Sequence, residues 1–393
     1  MLEQQIPLVR MSFGPEEELA VARVLRSGWV TQGPEIAAFE AEFAAFCGAE
    51  HAIAVSNCTT ALHLALLAKG VGPGHEVITV SHSYIATANA IVHAGALPVF
   101  VDIQLDDFNM NPALIEEAIT SQTKAILVVH QVGMPCRITA IADLAKKHNL
   151  ALIEDAACAA GSEILSESGW VKVGKPFGSV ACFSFHPRKI LSTGDGGMIT
   201  TDDFKIAQHL RLLRQHAMSA NDQMRHNSST VVFEQYSEIG FNYRLTDIQA
   251  AIGRCQLQRL PNLVQSRRRL ADSYQRALSA VKGLILPKDR NDTRTNWQSY
   301  CVILPVDVGQ RQVMQTMLDA GIATRRGVMN AHRESAYSSG PHGAGIRTAL
   351  PNSETAQDRG LILPMYDTMT EAQIQRIATT LAAAIAAARQ PSC

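Results

Sequence analysis

The chain predicts an α/β protein built on a mostly parallel sheet, and two patterns carry that expectation. Strand and helix signatures alternate between about residues 50 and 200, and the strand signatures are short apolar runs rich in β-branched residues. In chain order the strands are His51–Val55, Glu76–Val80, Ala125–Val129, Ala151–Glu154, Val180–Ser184 and Met198–Thr201. Helical stretches at Thr59–Lys69, Ala86–Ala94 and Arg137–His148 lie between several of them. Such alternation requires crossover connections, hence a sheet covered on both faces. Ligands of these sheets gather beyond the carboxyl ends of the strands.

Beyond the sheet, Thr246 to Lys282 reads as one long helix with few breakers, leading out of the first unit. After Gly283 the pattern becomes a smaller α+β unit. It has a strand at Tyr300–Leu304, a helix near Gln310–Ala320 and a final helix from Thr370. The expected division is residues 1–255, a large ligand-binding domain with an N-terminal segment, and residues 256–393, a small C-terminal domain. Ser338–Gly343 has the composition of an exposed loop. No internal repeat is visible, and the alanine-rich stretch Leu381–Ala388 is the tail of the last helix.

The chain has 393 residues, an apolar fraction of 47% and a net charge of −1, with scattered lysines and arginines. No basic face for nucleic acid is expected. A small anionic substrate needs only one or two placed cations and stays possible. The start lacks a signal-peptide pattern, and no apolar run spans a bilayer, so no membrane contact is expected. Cys47, Cys58, Cys136, Cys158, Cys182, Cys255, Cys301 and Cys393 include no C-x-x-C pair. That argues against metal or disulfide frameworks and for a reducing, cytoplasmic setting.

Chemistry concentrates at strand ends. After Phe183–Phe185, Pro187 blocks the strand, and Lys189 precedes the glycine-rich Gly194-Asp195-Gly196-Gly197. Glycines suit a backbone wrapped closely around a ligand. A lysine beside such a turn serves as a phosphate ligand, a surface charge or an amine nucleophile. Asp155 closes the apolar strand Ala151–Glu154, and an acid there needs a partner. A protonated ring nitrogen is one such partner; a structural arginine or a helix cap is another. Ser56-Asn57-Cys58-Thr59-Thr60 joins a strand to a helix, where free amides and hydroxyls suit a phosphate monoester or plain helix capping. Tyr84 follows the next strand, placed to stack on a flat ring or to join the core.

Together these segments resemble the DegT/DnrJ/EryC1/StrS family of pyridoxal 5'-phosphate (PLP) sugar aminotransferases, nearly end to end. The matching segments are Gly28–Gly33, Phe39-Glu40, Ser56–His63, Ala86–Ala90, Pro98–Asp102 and Ile153–Ala157. Phe183–Gly197, Gly240–Ala251 and Leu361–Tyr366 continue the match. The resemblance implies a fold-type-I, aspartate aminotransferase-like fold and a homodimer with shared active sites. It implies Lys189 as the lysine joined to PLP, in a site that lowers its pKa, and Asp155 as the ring-nitrogen partner. Tyr84 would stack on the ring. Cys58 and Thr59 amides and the Ser184 hydroxyl would hold the phosphate, and Asn242 would reach in from the neighbouring subunit. Two residues depart from the family pattern. Cys158 stands where relatives carry glutamine or histidine near the ring, and Cys58 where glycine is usual.

The implied reaction moves an amino group from an amino acid, commonly glutamate, to a nucleotide-linked keto-deoxysugar. Lysine at position 189, rather than the histidine of related dehydratases, favours transfer. A cyclitol or other cyclic ketone as acceptor, and a non-catalytic regulatory homologue, are the alternatives. Expected substrate contacts are Trp29, Thr31, Gln32 and His186. Arg325 and Arg326, followed by Asn330 and His332, would face a pyrophosphate.

Overall fold

The computed structural model describes residues 5–220, 225, 228–343 and 345–389. Its centre is a seven-stranded sheet in the order β1-β9-β8-β5-β4-β2-β3. The strands are β1 (His51–Val55), β2 (Glu76–Val80), β3 (Leu97–Val101), β4 (Thr123–Val129), β5 (Ala151–Asp155), β8 (Val180–Ser184) and β9 (Gly197–Thr201). Neighbours from β8 through β3 pair in parallel, whereas β9 runs antiparallel to both β8 and β1. The sheet is thus mostly parallel, with Met198–Thr201 reversed between its neighbours. Two further strands, β6 (Glu163–Ser166) and β7 (Gly169–Lys172), form a hairpin extended by β10 (Thr293–Arg294).

Helices α1 (Pro15–Ser27), α2 (Pro34–Cys47), α3 (Cys58–Ala68), α4 (Ala86–His93), α5 (Ile138–Lys147) and α6 (Phe204–Leu213) accompany this sheet. One hydrophobic cluster joins Phe39 and Phe43 of α2 to Ile78, Ile126, Val128 and Phe183. A second joins Leu62, Leu64 and Leu66 of α3 to Ile53, Val77, Leu127 and Ile199. Successive residues of one strand, Ile126 and Leu127, therefore face different clusters, as the two-residue period of a doubly covered strand requires.

The strand β3 escaped sequence reading because Pro98 interrupts it. Proline is compatible with an edge strand, which is where β3 lies.

Helix α7 (Asp247–Leu278) runs 32 residues. Thr246 caps it, accepting from the Gln249 N–H at 3.2 Å. Leu257, Leu260 and Val264 pack into the first cluster, whereas Leu270, Tyr274 and Leu278 belong to the core of the C-terminal unit. The expected boundary at 255/256 falls inside this continuous helix, before the change of core. Ile6 joins the C-terminal core as well, bridging to Ile322.

The small unit carries the sheet β11 (Tyr300–Ile303), β13 (Gly360–Leu363) and β12 (Arg325–Arg326). Helices α8 (Gln310–Asp319), α9 (Pro351–Arg359) and α10 (Glu371–Ala388) accompany it. In place of the loop expected at Ser338–Gly343, two single helical turns, Ser335–Ser338 and Gly340–Gly343, run through a largely exposed segment. The described cysteines are free thiols, and Cys393 lies outside the described residues. Among the described residues no helix is long and apolar enough to cross a membrane.

Candidate active site

A cavity of about 680 Å³ opens at the carboxyl ends of the parallel strands. Its wall includes Cys58, Thr59, Tyr84, Asp155, Cys158, Ser184, His186, Lys189 and Arg325, nine of the expected site residues. Strand endings explain the convergence. Asp155 is the last residue of β5 and Ser184 the last of β8, while Asn57, just past β1, starts α3.

The mouth of α3 has the geometry of an anion cradle. Asn57 caps the helix by accepting from the Thr60 N–H at 3.0 Å, and among the described residues the Cys58 and Thr59 N–H groups have no acceptor. Gly197 makes this turn possible: a Cβ there would sit 2.6 Å from the Asn57 carbonyl carbon and 2.9 Å from Cys58 N. Ser184 lies beside the cradle, its Oγ accepting from the His186 N–H at 3.4 Å, and among the described residues its hydroxyl hydrogen has no acceptor.

Asp155 occupies another wall. Its Oδ2 accepts from Thr87 Oγ1 at 2.8 Å and its Oδ1 from the Ala157 N–H at 3.1 Å. Burial pushes the carboxyl above its usual pKa, against the pull of these donors and of Lys189. A cation placed against Asp155 would relieve that penalty.

Lys189 sits in a tight turn after β8, its N–H donating to the His186 carbonyl at 2.8 Å. Its Nζ donates to Cys158 Sγ at 3.0 Å. Burial disfavours the ammonium, but Cys158, Cys58 and Asp155 outweigh it and hold the pKa above its usual value. This corrects the expectation of a lowered Lys189 pKa: the electronegative groups around Nζ favour its charge more than burial opposes it.

The other expected residues have varied positions. Tyr84 is 64% exposed at the cavity rim, open to a planar ligand. His186 lines the cavity, and burial lowers its pKa. Arg326 points away, 3.9 Å from Glu334. Asn330 is fully buried outside the cavity, accepting from His82 Nδ1 at 3.0 Å and donating to the Ser353 carbonyl at 2.8 Å. His332 pairs with Ser81 Oγ at 2.6 Å and with Glu354 at 3.3 Å, also off the cavity. Trp29, Thr31, Gln32 and Asn242 do not line the cavity of their own chain.

Several wall residues were not singled out from sequence. Thr87 and Ser83, joined at 2.7 Å, form a hydroxyl pair leading to Asp155. Arg188, adjacent to the lysine, shares the cavity with Arg325. Gln298 clamps the lysine turn from both sides, accepting from the Ile190 N–H at 2.8 Å and donating to the Arg188 carbonyl at 2.6 Å.

A sequence model of the DegT/DnrJ/EryC1/StrS aminotransferase family matches residues 12–382. The chain belongs to that family. It is 37% identical over 383 residues to the spore coat polysaccharide biosynthesis protein SpsC of Bacillus subtilis, covering 96% of this chain and 95% of that one. DesV of S. venezuelae, solved in complex with a ketimine intermediate, superposes with a TM-score of 0.87 at 33% identity, covering 97% of this chain and 98% of DesV. A putative sugar aminotransferase from Streptococcus pneumoniae, in its PLP form, gives a TM-score of 0.87 at 25% identity over 98% of this chain and 99% of that one. The fold is accordingly that of fold-type-I PLP-dependent aminotransferases, and this family member is a transaminase of the sugar aminotransferase class.

Proposed function

We propose that this aminotransferase binds PLP through Lys189 and moves an amino group from an amino acid, glutamate, to a nucleotide-linked keto-deoxysugar. The observation that carries the reading is the placement of three complementary groups around one cavity. They are the free amides at the start of α3, the buried carboxylate of Asp155 and the amine of Lys189. They fit the phosphate, the ring nitrogen and the aldehyde of PLP respectively.

The bound cofactor supplies an aldehyde that condenses with amines and a ring that takes up electron density from the adjacent carbon. The protein's own residues do the rest. The N-terminus of α3 and Ser184 bind the phosphate, and Asp155 keeps a positive ring nitrogen charged. Tyr84 covers a ring face from the rim. With the cofactor bound, the Lys189 amine would move a proton from the donor's α-carbon to the cofactor's aldehyde-derived carbon, and in the opposite direction, onto the acceptor carbon, in the second half of the cycle. Arg325 and Arg188 bind the anionic part of the nucleotide substrate.

A homodimer with shared sites is part of this reading. The Trp29–Gly33 segment lies against the start of α7, a few residues after Asn242: Thr31 bridges to Thr246, and the Asp247 N–H donates to the Val30 carbonyl at 2.9 Å. Close by in sequence, Val231, Phe233 and Ile239 are 83–87% exposed, an apolar surface suited to a second copy. The test is an absorbance spectrum of the purified protein before and after glutamate, followed by mass spectrometry of the product from nucleotide-linked keto sugars. A PLP band that shifts with glutamate and yields an amino sugar supports the reading; a PLP band indifferent to every donor and acceptor overturns it.

A further inference from the structure

Cys158 has no part in the transfer described above, yet its sulfur is the acceptor for the Lys189 amine at 3.0 Å. Both side chains line the cavity, and Cys158 is half-buried rather than sealed. Cys58 and Cys182 nearby are buried thiols whose pKa values burial pushes far up. Of these three thiols, the one open to a small oxidant is therefore the one whose sulfur lies against the Lys189 amine. A cysteine oxidised to the sulfenic acid condenses with a thiol or a nitrogen nucleophile within reach.

We propose that Cys158 is an oxidation site at which hydrogen peroxide joins it to Lys189 through a sulfur–nitrogen bond, reversibly withdrawing the lysine. The Cys158 thiolate attacks peroxide, so that a sulfur–oxygen bond forms, the oxygen–oxygen bond breaks and hydroxide leaves as water after taking a proton. The Lys189 amine then attacks Sγ. A nitrogen–sulfur bond forms, the sulfur–oxygen bond breaks, and the departing hydroxide takes the amine proton as a second water. Sulfur is oxidised by two electrons and one peroxide is reduced to two waters. A free thiol attacks Sγ and releases the amine, and a second thiol resolves the resulting mixed disulfide to free Cys158.

The cross-link itself rests on the Cys158–Lys189 contact. Only its effect on turnover rests on Lys189 being the cofactor lysine. The test treats the purified protein, with and without saturating PLP, with hydrogen peroxide, then maps non-reduced peptides by mass spectrometry. The expected product joins the peptides of Cys158 and Lys189 with the loss of two hydrogens, disappears on dithiothreitol treatment and is absent from Cys158→Ser. Bound PLP, by occupying the amine, is expected to cut its yield about tenfold. A cross-link formed equally with and without PLP leaves the inference standing and removes Lys189 from the cofactor role. Sulfinic acid at Cys158, a Cys58–Cys158 disulfide, or no change at either residue overturns the inference.

Discussion

Thr87 donates its hydroxyl hydrogen to Asp155 Oδ2 at 2.8 Å, and its own oxygen is held by Ser83 at 2.7 Å. With the Ala157 N–H on Oδ1, each carboxylate oxygen has one donor. These donors fix the carboxylate plane and favour its charged form, whereas burial pushes its pKa up.

Thr87→Val removes the hydroxyl at nearly constant volume and should weaken that charge. A hydrogen bond to a charged group contributes about 1.5–3 kcal/mol, so kcat/KM is expected to fall about tenfold or more. Thr87→Ser should restore most of it. The decisive readout is the pH titration of the cofactor absorbance: a purely packing role for Thr87 would leave it unchanged.

Arg325 lines the cavity, and its pKa is lowered by burial and by repulsion from Arg188, with only Tyr84 pulling the other way. Two guanidinium groups gathered without a carboxylate partner among those influences suit an anionic ligand. Arg325→Ala is expected to raise KM for a nucleotide-linked substrate about tenfold with kcat little changed. Steady-state kinetics with and without the nucleotide moiety tests this. Equal effects on both substrates would place Arg325 outside the anion site.

Much of this site was legible in the sequence because each essential group closes a strand or opens a helix. Asp155, Ser184 and the Ser56–Thr60 turn sit where an apolar run ends, and chain order alone brings such ends to one side of a parallel sheet. What escaped depends on distance in sequence. Gln298 grips the lysine turn from 110 residues away, and no local pattern marks it. Asn330 and His332 follow a basic pair, a pattern that resembles a ligand wall, whereas in this chain their hydrogen bonds go to Ser81 and His82 just past β2 and to Ser353 and Glu354 of α9. Thr87 was inside a recognised segment, but only the fold shows that α4 aims its hydroxyl at Asp155.

If two copies share their sites, inactive Lys189→Ala and Asn242→Ala proteins should complement one another. Lys189→Ala alone is expected to lose the cofactor absorbance band and at least ~10³-fold in turnover. Mixing the variants under exchange of subunits should return part of the wild-type rate, because one site of each hybrid holds both intact residues. Exchange verified by native mass spectrometry with no recovered activity would show that Asn242 acts within its own chain or not at all.

His82 offers a stability test independent of catalysis. It is buried beneath the cavity wall, its Nδ1 donating to Asn330 Oδ1 at 3.0 Å, and its carbonyl accepting from Gln131. Burial lowers its pKa from 6.5 to about 4, although Asn330 and the Asp102 charge pull the other way. The folded protein therefore keeps His82 neutral where the unfolded chain protonates it. Its contribution is fully present above pH 6.5 and is lost as pH falls from 6.5 toward about 4. Within that window the loss approaches about 1.4 kcal/mol per pH unit. Urea unfolding of the wild type should show this slope, and His82→Gln, which has no ionising group, should show a shallower one. Parallel slopes for the two proteins would mean that His82 protonates in the folded state, and so that burial does not hold it neutral.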